Sequence, residues 1–465
     1  MTLRTLTAQL VLASATIAFA QPAAAPPPAA AVASHEEIET RADAYLAAQS
    51  KVNGFSGAVL VARAGTRLYS KGFGWANAEW NVPNTSKTKF RLGSITKQFT
   101  ATAVLRLQEQ GKLKVQDPIC TYLSRCPETW KTVTIHHLLT HTSGIPSYTS
   151  SPEYGKTMMM PKTPEQMVEG FRELPLEFQP GERFKYNNSG YFLLGLIVEK
   201  VSGRKYENVL RAEIFDPLGM ADSGYDWSAP VLPRRAAGYQ RRDSGLVNAP
   251  YLDMQQPFSA GSLYSTVDDL LLWDQALYTD TVLPASAREA MFTPFKDGYA
   301  YGWTITPPEK AASGKRQVGH GGGINGFSTM ITRVPDDRLV VIVLANVDNV
   351  NTGAIARDVT AIAYGRPYVV PVERTTVVVK PEVLAQYVGR YEMSPTFVLA
   401  VTLEDGRLMT QATNQPKFEI YPESETKFFL KVVDAQLTFA RNAAGAVTEV
   451  TLHQGGRDMK ARKIE

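Results

Sequence analysis

The sequence predicts an α+β protein. An antiparallel sheet, built from distant parts of the chain, encloses a helical insertion, and a small all-β unit follows. Three observations carry this. Strand-like runs lie early, at Gly57–Arg63 and Thr66–Gly72, and return only at Gly326–Arg333 and Leu339–Ala345. Between them, from Ser94 to about Leu277, apolar spacing is mainly helical with long loops. Beyond Pro381, short alternating runs recur between turns such as Glu404-Asp-Gly and Asn442-Ala-Ala-Gly, the pattern of a small antiparallel sheet or barrel.

Taken in order, the first element is a secretory signal over residues 1–20. Arg4 supplies the positive start, Leu10 to Ala18 the apolar stretch, and Ala18-Phe-Ala20 the small-x-small cleavage pattern. A Pro/Ala-rich leader, 21–34, follows. Export to the periplasm or the exterior is therefore expected, with no membrane span after signal removal. Helical spacing over Ile38–Ala48 opens the main unit, 35–366. The early strands form a hairpin across Ala64-Gly65, and the late ones turn at Pro335-Asp-Asp-Arg338. Asn351–Tyr364 reads as a closing helix. A linker with two prolines, residues 367–380, leads to the all-β unit over 381–465.

Composition bounds the function. The 465 residues are 44% hydrophobic and 20% charged, enough for a sizeable core. Net charge is +4 with no basic tract, which excludes nucleic acid as a partner. The sequence specifies no oligomeric state. The two cysteines, Cys120 and Cys126, can pair across a short loop in an oxidising compartment; otherwise they are free thiols.

Ser94 and Lys97, in Phe90-Arg-Leu-Gly-Ser-Ile-Thr-Lys97, carry the chemistry. Positions three apart share one helix face, so a serine nucleophile can have its base beside it. The spelling S-x-x-K occurs four times, at Ser86, Ser94, Ser202 and Ser424. Only Ser94 leads into a long apolar helix. The plainer reading makes Ser94 a helix N-cap. Two further stretches supply partners. Tyr186-Asn187-Asn188 lies in a polar loop ahead of an apolar helix, where a phenol can shuttle the serine proton and Asn188 can brace the lysine. Its plainer reading is a helix entry capped by Ser189. Gly319-His-Gly-Gly-Gly-Ile-Asn-Gly326 precedes the late hairpin, and its glycines allow close backbone approach. It spells G-x-G-x-x-G, but no βαβ unit surrounds it, so no dinucleotide site is expected. His136, His137 and His141 lack a further ligand at zinc spacing. No metal or organic cofactor is implied.

Together these residues resemble the class C β-lactamase superfamily, which also holds D-Ala-D-Ala carboxypeptidases, D-aminopeptidases and esterases. The match runs through Ser94-Ile-Thr-Lys97, Tyr186-Asn-Asn188 and His320-Gly-Gly322, supported by Leu138-Leu-Thr-His-Thr-Ser-Gly-Ile-Pro146, Ile214–Met220 and Gly261–Leu270. The resemblance implies a β-lactamase/transpeptidase-like fold and an acyl-enzyme mechanism. In it Ser94 attacks a carbonyl, Lys97 and Tyr186 move the proton, and Asn188 orients lysine and substrate. His320 and Gly322 line the third motif, and the N–H groups of Ser94 and Gly323 form an oxyanion hole. For Lys97 to act as a base its pKa must fall from about 10.4 to roughly 7–8. Burial and a neighbouring positive charge are the expected causes. At the third motif, His320 and Gly321 replace the Lys-Thr of classical β-lactamases. A histidine there is charged only part of the time. A small peptide, amide or ester substrate is therefore expected ahead of a β-lactam. A non-catalytic penicillin- or peptidoglycan-binding sensor is the rival from another class.

Overall fold

A computed structural model describes residues 32–242, 244–431, 435–454 and 457–464. The expected signal, and the leader up to residue 31, lie outside them. Helix α1 (His35–Asn53) is capped by Ser34, whose side chain accepts from the Glu37 N–H while Glu37 reaches back. Strands β1 (Gly57–Arg63) and β2 (Thr66–Phe73) pair antiparallel. Their turn has positive φ at both Ala64 (49°) and Gly65 (81°), as tight two-residue hairpins require.

The remaining sheet strands come from far along the chain. They are β3 (Thr304–Thr306), β4 (Gln317–Ile324), β5 (Phe327–Val334) and β6 (Leu339–Ala345). The order is β3-β4-β5-β6-β1-β2, antiparallel throughout, with Leu60 opposite Ile342. Both faces are covered. Ala58, Leu60 and Ala62 join the core of the helical insertion, while Val59 and Val61 pack with α1 and the closing helix Thr352–Ala363. Each residue of β6 is buried, which is why that strand reads as an unbroken apolar run.

Helix α2 (Thr96–Glu109) runs through the insertion and packs against α3 (Asn188–Ser202). The insertion also holds short strands that helical spacing did not disclose. Phe90–Arg91, Leu263–Ser265 and Gly224–Tyr225 form a three-stranded sheet, and Tyr239–Arg242 pairs with Gly245–Asn248. Runs of two to four residues hold too little alternation to register. Cys120 and Cys126 are joined by a disulfide. Among the described residues no helix is long and apolar enough to cross a membrane.

The C-terminal strands, Gly389–Ser394 through Arg457–Lys463, form a closed barrel, with Tyr391 pairing with Lys463 across the seam. Its own core includes Tyr387, Tyr391, Phe428 and Phe439. Closure leaves no sheet edge exposed.

Candidate active site

Ser94 sits in a 3₁₀ turn, Gly93–Ile95, that continues into α2. It is not the helix cap: α2 begins at Thr96 and has no side-chain cap. Instead, Ser94 Oγ lies within hydrogen-bond distance of Lys97 Nζ, at 3.0 Å. Strand β4 presses directly on this turn. A Cβ on Gly93, whose φ is 54°, would come within 2.9 Å of the Gly323 nitrogen. One on Gly322 would come within 2.0 Å of the Leu92 carbonyl oxygen. Thr329 Oγ1 locks the contact by donating to that same oxygen at 2.7 Å. The backbone of Gly323 is thereby held against the Ser94 turn, the arrangement an oxyanion hole needs.

Lys97 is fully buried. Besides Ser94, its Nζ meets Asn188 Oδ1 at 2.9 Å and the Ala260 carbonyl at 2.9 Å. Burial lowers its pKa well below the ordinary lysine value. The expected neighbouring positive charge plays no part; desolvation is the cause. A neutral amine has two N–H bonds and one lone pair. Asn188 Oδ1 and the Ala260 carbonyl only accept, so they take both hydrogens and leave the lone pair facing the Ser94 hydroxyl. The rings of Tyr186 and Tyr191, 4.9 and 5.5 Å from Nζ, favour the ammonium once a proton arrives.

The Tyr186–Asn188 loop is braced from the Leu138–Pro146 stretch and the residues just after it. His141 Nδ1 accepts from the Asn187 N–H at 3.1 Å. Ser147 Oγ accepts from the Asn188 N–H at 3.1 Å, and Asn188 Nδ2 donates to Thr149 Oγ1 at 3.0 Å. Helix α3 is capped by Asn187, which accepts from the Gly190 N–H, and not by Ser189. Ser189 is occupied with the Tyr148 N–H and the Pro146 carbonyl. Tyr186 is 38% exposed. Protein nevertheless surrounds its phenol closely enough that burial raises its pKa, with the Ser94 hydrogen bond opposing.

His320 on β4 is buried, and both ring nitrogens are engaged. Nδ1 lies 2.6 Å from the Gly321 carbonyl, which only accepts, so the proton sits on Nδ1. Nε2 then accepts from the Tyr299 hydroxyl at 2.9 Å. Burial first, and the nearby Lys97 second, lower its pKa to about 4. His320 is thus neutral at neutral pH, where partial charging was expected. Because the unfolded chain protonates this ring near 6.5 and the folded one near 4, stability is lost as pH falls through that window. Ring NMR should show the Nδ1–H tautomer at about pH 6. A His320 signal titrating near 6.5 would contradict this.

The sequence reading missed two members of the site. The Ala260 carbonyl is a backbone group with no residue signature. His141 stood within a familial stretch but without a role of its own; its ring lies 4.3 Å from Tyr186 and 4.5 Å from Tyr299. His136 and His137 do other work, at Tyr301 and in the cap of the helix Ile135–Leu139. Among the described residues no group of three His, Cys, Asp or Glu is placed to hold a metal.

The Beta-lactamase family model matches residues 42–364, and a domain of unknown function, DUF3471, matches 373–463. Penicillin-binding protein 4* of Bacillus subtilis is 31% identical over 88% of this chain and 95% of its own length. The teichoic acid D-alanine hydrolase of Staphylococcus aureus is 26% identical over 64% of this chain and 72% of its own. The octameric penicillin-binding protein homologue from Pyrococcus abyssi superposes with a TM-score of 0.65 at 27% identity, covering 91% of this chain and 99% of that one. The chain belongs to the Beta-lactamase family and is a serine hydrolase of the penicillin-recognising superfamily.

Proposed function

We propose that the chain, once exported to the periplasm or the exterior, hydrolyses amide or ester bonds of small peptide or acyl substrates through an acyl-enzyme on Ser94. The observation that carries this is the 3.0 Å contact between Ser94 Oγ and a buried Lys97 whose other two partners only accept. Ser94 Oγ attacks the carbonyl, and its proton passes to the Lys97 lone pair. The oxyanion rests on the N–H groups of Ser94 and Gly323. Burial keeps Tyr186 protonated, so it relays a proton from Lys97 to the leaving group. Water then attacks the acyl-enzyme by the same route in reverse. Asn188 holds Lys97 throughout. The Cys120–Cys126 disulfide supports the export reading.

Carboxypeptidase, D-aminopeptidase and esterase chemistry all fit, in line with relatives named for penicillin binding and for D-alanine hydrolysis. Dedicated β-lactamase activity fits less well, because neutral His320 replaces the fixed ammonium that would pair with an antibiotic carboxylate. The test is a substrate panel: a D-Ala-D-Ala peptide, D-amino acid amides, short p-nitrophenyl esters and nitrocefin. Turnover of a peptide, amide or ester ahead of nitrocefin is expected. Labelling by a fluorescent penicillin with no turnover across the panel would favour the sensor.

A further inference from the structure

Three consecutive methionines, Met158, Met159 and Met160, occupy a loop that the mechanism leaves without a role. Two clamps pin this loop beside the site. Asn325, two residues past Gly323, donates from Nδ2 to the Pro250 carbonyl at 2.9 Å and reaches Met158 Sδ at 3.7 Å. Gln256, four residues before Ala260, is fully buried and donates to the Thr157 and Met160 carbonyls at 2.7 and 2.6 Å. One clamp thus hangs from the strand end that carries Gly323. The other hangs from the segment whose carbonyl holds Lys97.

Two further apolar residues belong to or adjoin the 250–256 segment, whose Asp253 N–H donates to the Met158 carbonyl at 2.9 Å. Trp227 packs on Tyr225 at 4.7 Å, and the Tyr225 hydroxyl donates to the Met254 carbonyl at 2.8 Å. Tyr251 follows Pro250, and its hydroxyl donates to Ser228 Oγ, next to Trp227, at 3.1 Å. Met159, Met160, Trp227 and Tyr251 are each between 39% and 57% exposed. Large apolar side chains left open on adjoining segments mark a binding surface. Methionine suits one that must fit apolar groups of varied shape.

Its side of Ser94 identifies the occupant. Tyr186 hands its proton to the leaving group, and Tyr186 lies near His320, their rings 6.1 Å apart. The leaving group therefore faces the His320 end of the glycine segment, and the acyl group faces the Gly323–Asn325 end. We infer that the Met158–Met160 loop, with Trp227 and Tyr251, forms an acyl-binding lip, and that the substrate carries an apolar acyl group. This inference rests on the acyl-enzyme reading of Ser94.

The test measures kcat/KM for p-nitrophenyl acetate, butyrate and hexanoate. It uses the full chain, a Met159→Ser/Met160→Ser variant and Trp227→Ala, with fluorophosphonate labelling of Ser94 run in parallel. In the parent chain the hexanoate-to-acetate ratio should reach about tenfold, and in both variants it should collapse toward one with labelling retained. A flat series in the parent, or a ratio unchanged in both variants, overturns the lip. A folded parent that neither labels nor turns over acetate overturns the acyl-enzyme reading, and the lip with it.

Discussion

Ser94→Ala is expected to lower kcat for an activated acyl ester by at least about 10⁴-fold and to abolish fluorophosphonate labelling. The variant removes the proposed attacking atom while leaving Lys97 bonded to Asn188 and Ala260. The fold should survive, because the Ser94 turn is held mainly by backbone and by Thr329 rather than by the hydroxyl. A melting temperature near that of the parent, together with lost labelling, separates a chemical defect from unfolding. Turnover or labelling that persists in Ser94→Ala would mean another group is the nucleophile, and the proposed mechanism would fall.

Lys97→Met should cost about 10³-fold or more in kcat/KM, since the variant removes the amine lone pair proposed to take the serine proton. Its stability should respond to pH in a way the parent's does not. Burial lowers the folded pKa of Lys97, whereas the unfolded chain keeps the ordinary value of 10.5. Between those two values the unfolded state binds one more proton, so parent stability rises with pH, by at most about 1.4 kcal/mol per unit. Lys97→Met lacks that slope. Urea unfolding at about pH 7 and about pH 9 measures the difference, and equal slopes in parent and variant would show that Lys97 is charged in the fold. Lys97→Arg offers a contrast. It stays charged, so it should be both inactive and destabilised by a buried, unpaired cation.

Much of the architecture is legible in local pattern. The two hairpins show themselves through strand runs joined by turn residues, and the unbroken apolar run of β6 reflects burial on both faces. The strands of the insertion escape because they are only a few residues long. The choice of Asn187 over Ser189 as cap also escapes, since both are good cap residues. Which one caps depends on Tyr148 and Pro146 claiming the Ser189 hydroxyl.

The candidate site divides in the same way. Residue types and spacing, together with the family resemblance, bring forward Ser94, Lys97, Tyr186, Asn188 and the His320 glycine segment as candidates, because side-chain chemistry and helical periodicity are local properties. Protonation states are not local. Burial lowers the pKa of Lys97, and its Nζ is held by acceptors 91 and 163 residues away. His320 is fixed in one tautomer by its neighbour's carbonyl and by Tyr299, which reaches it across the sheet from the preceding loop. A pKa depends on desolvation and on partners brought together in space, so only the folded chain lowers the pKa of the lysine and holds the histidine neutral.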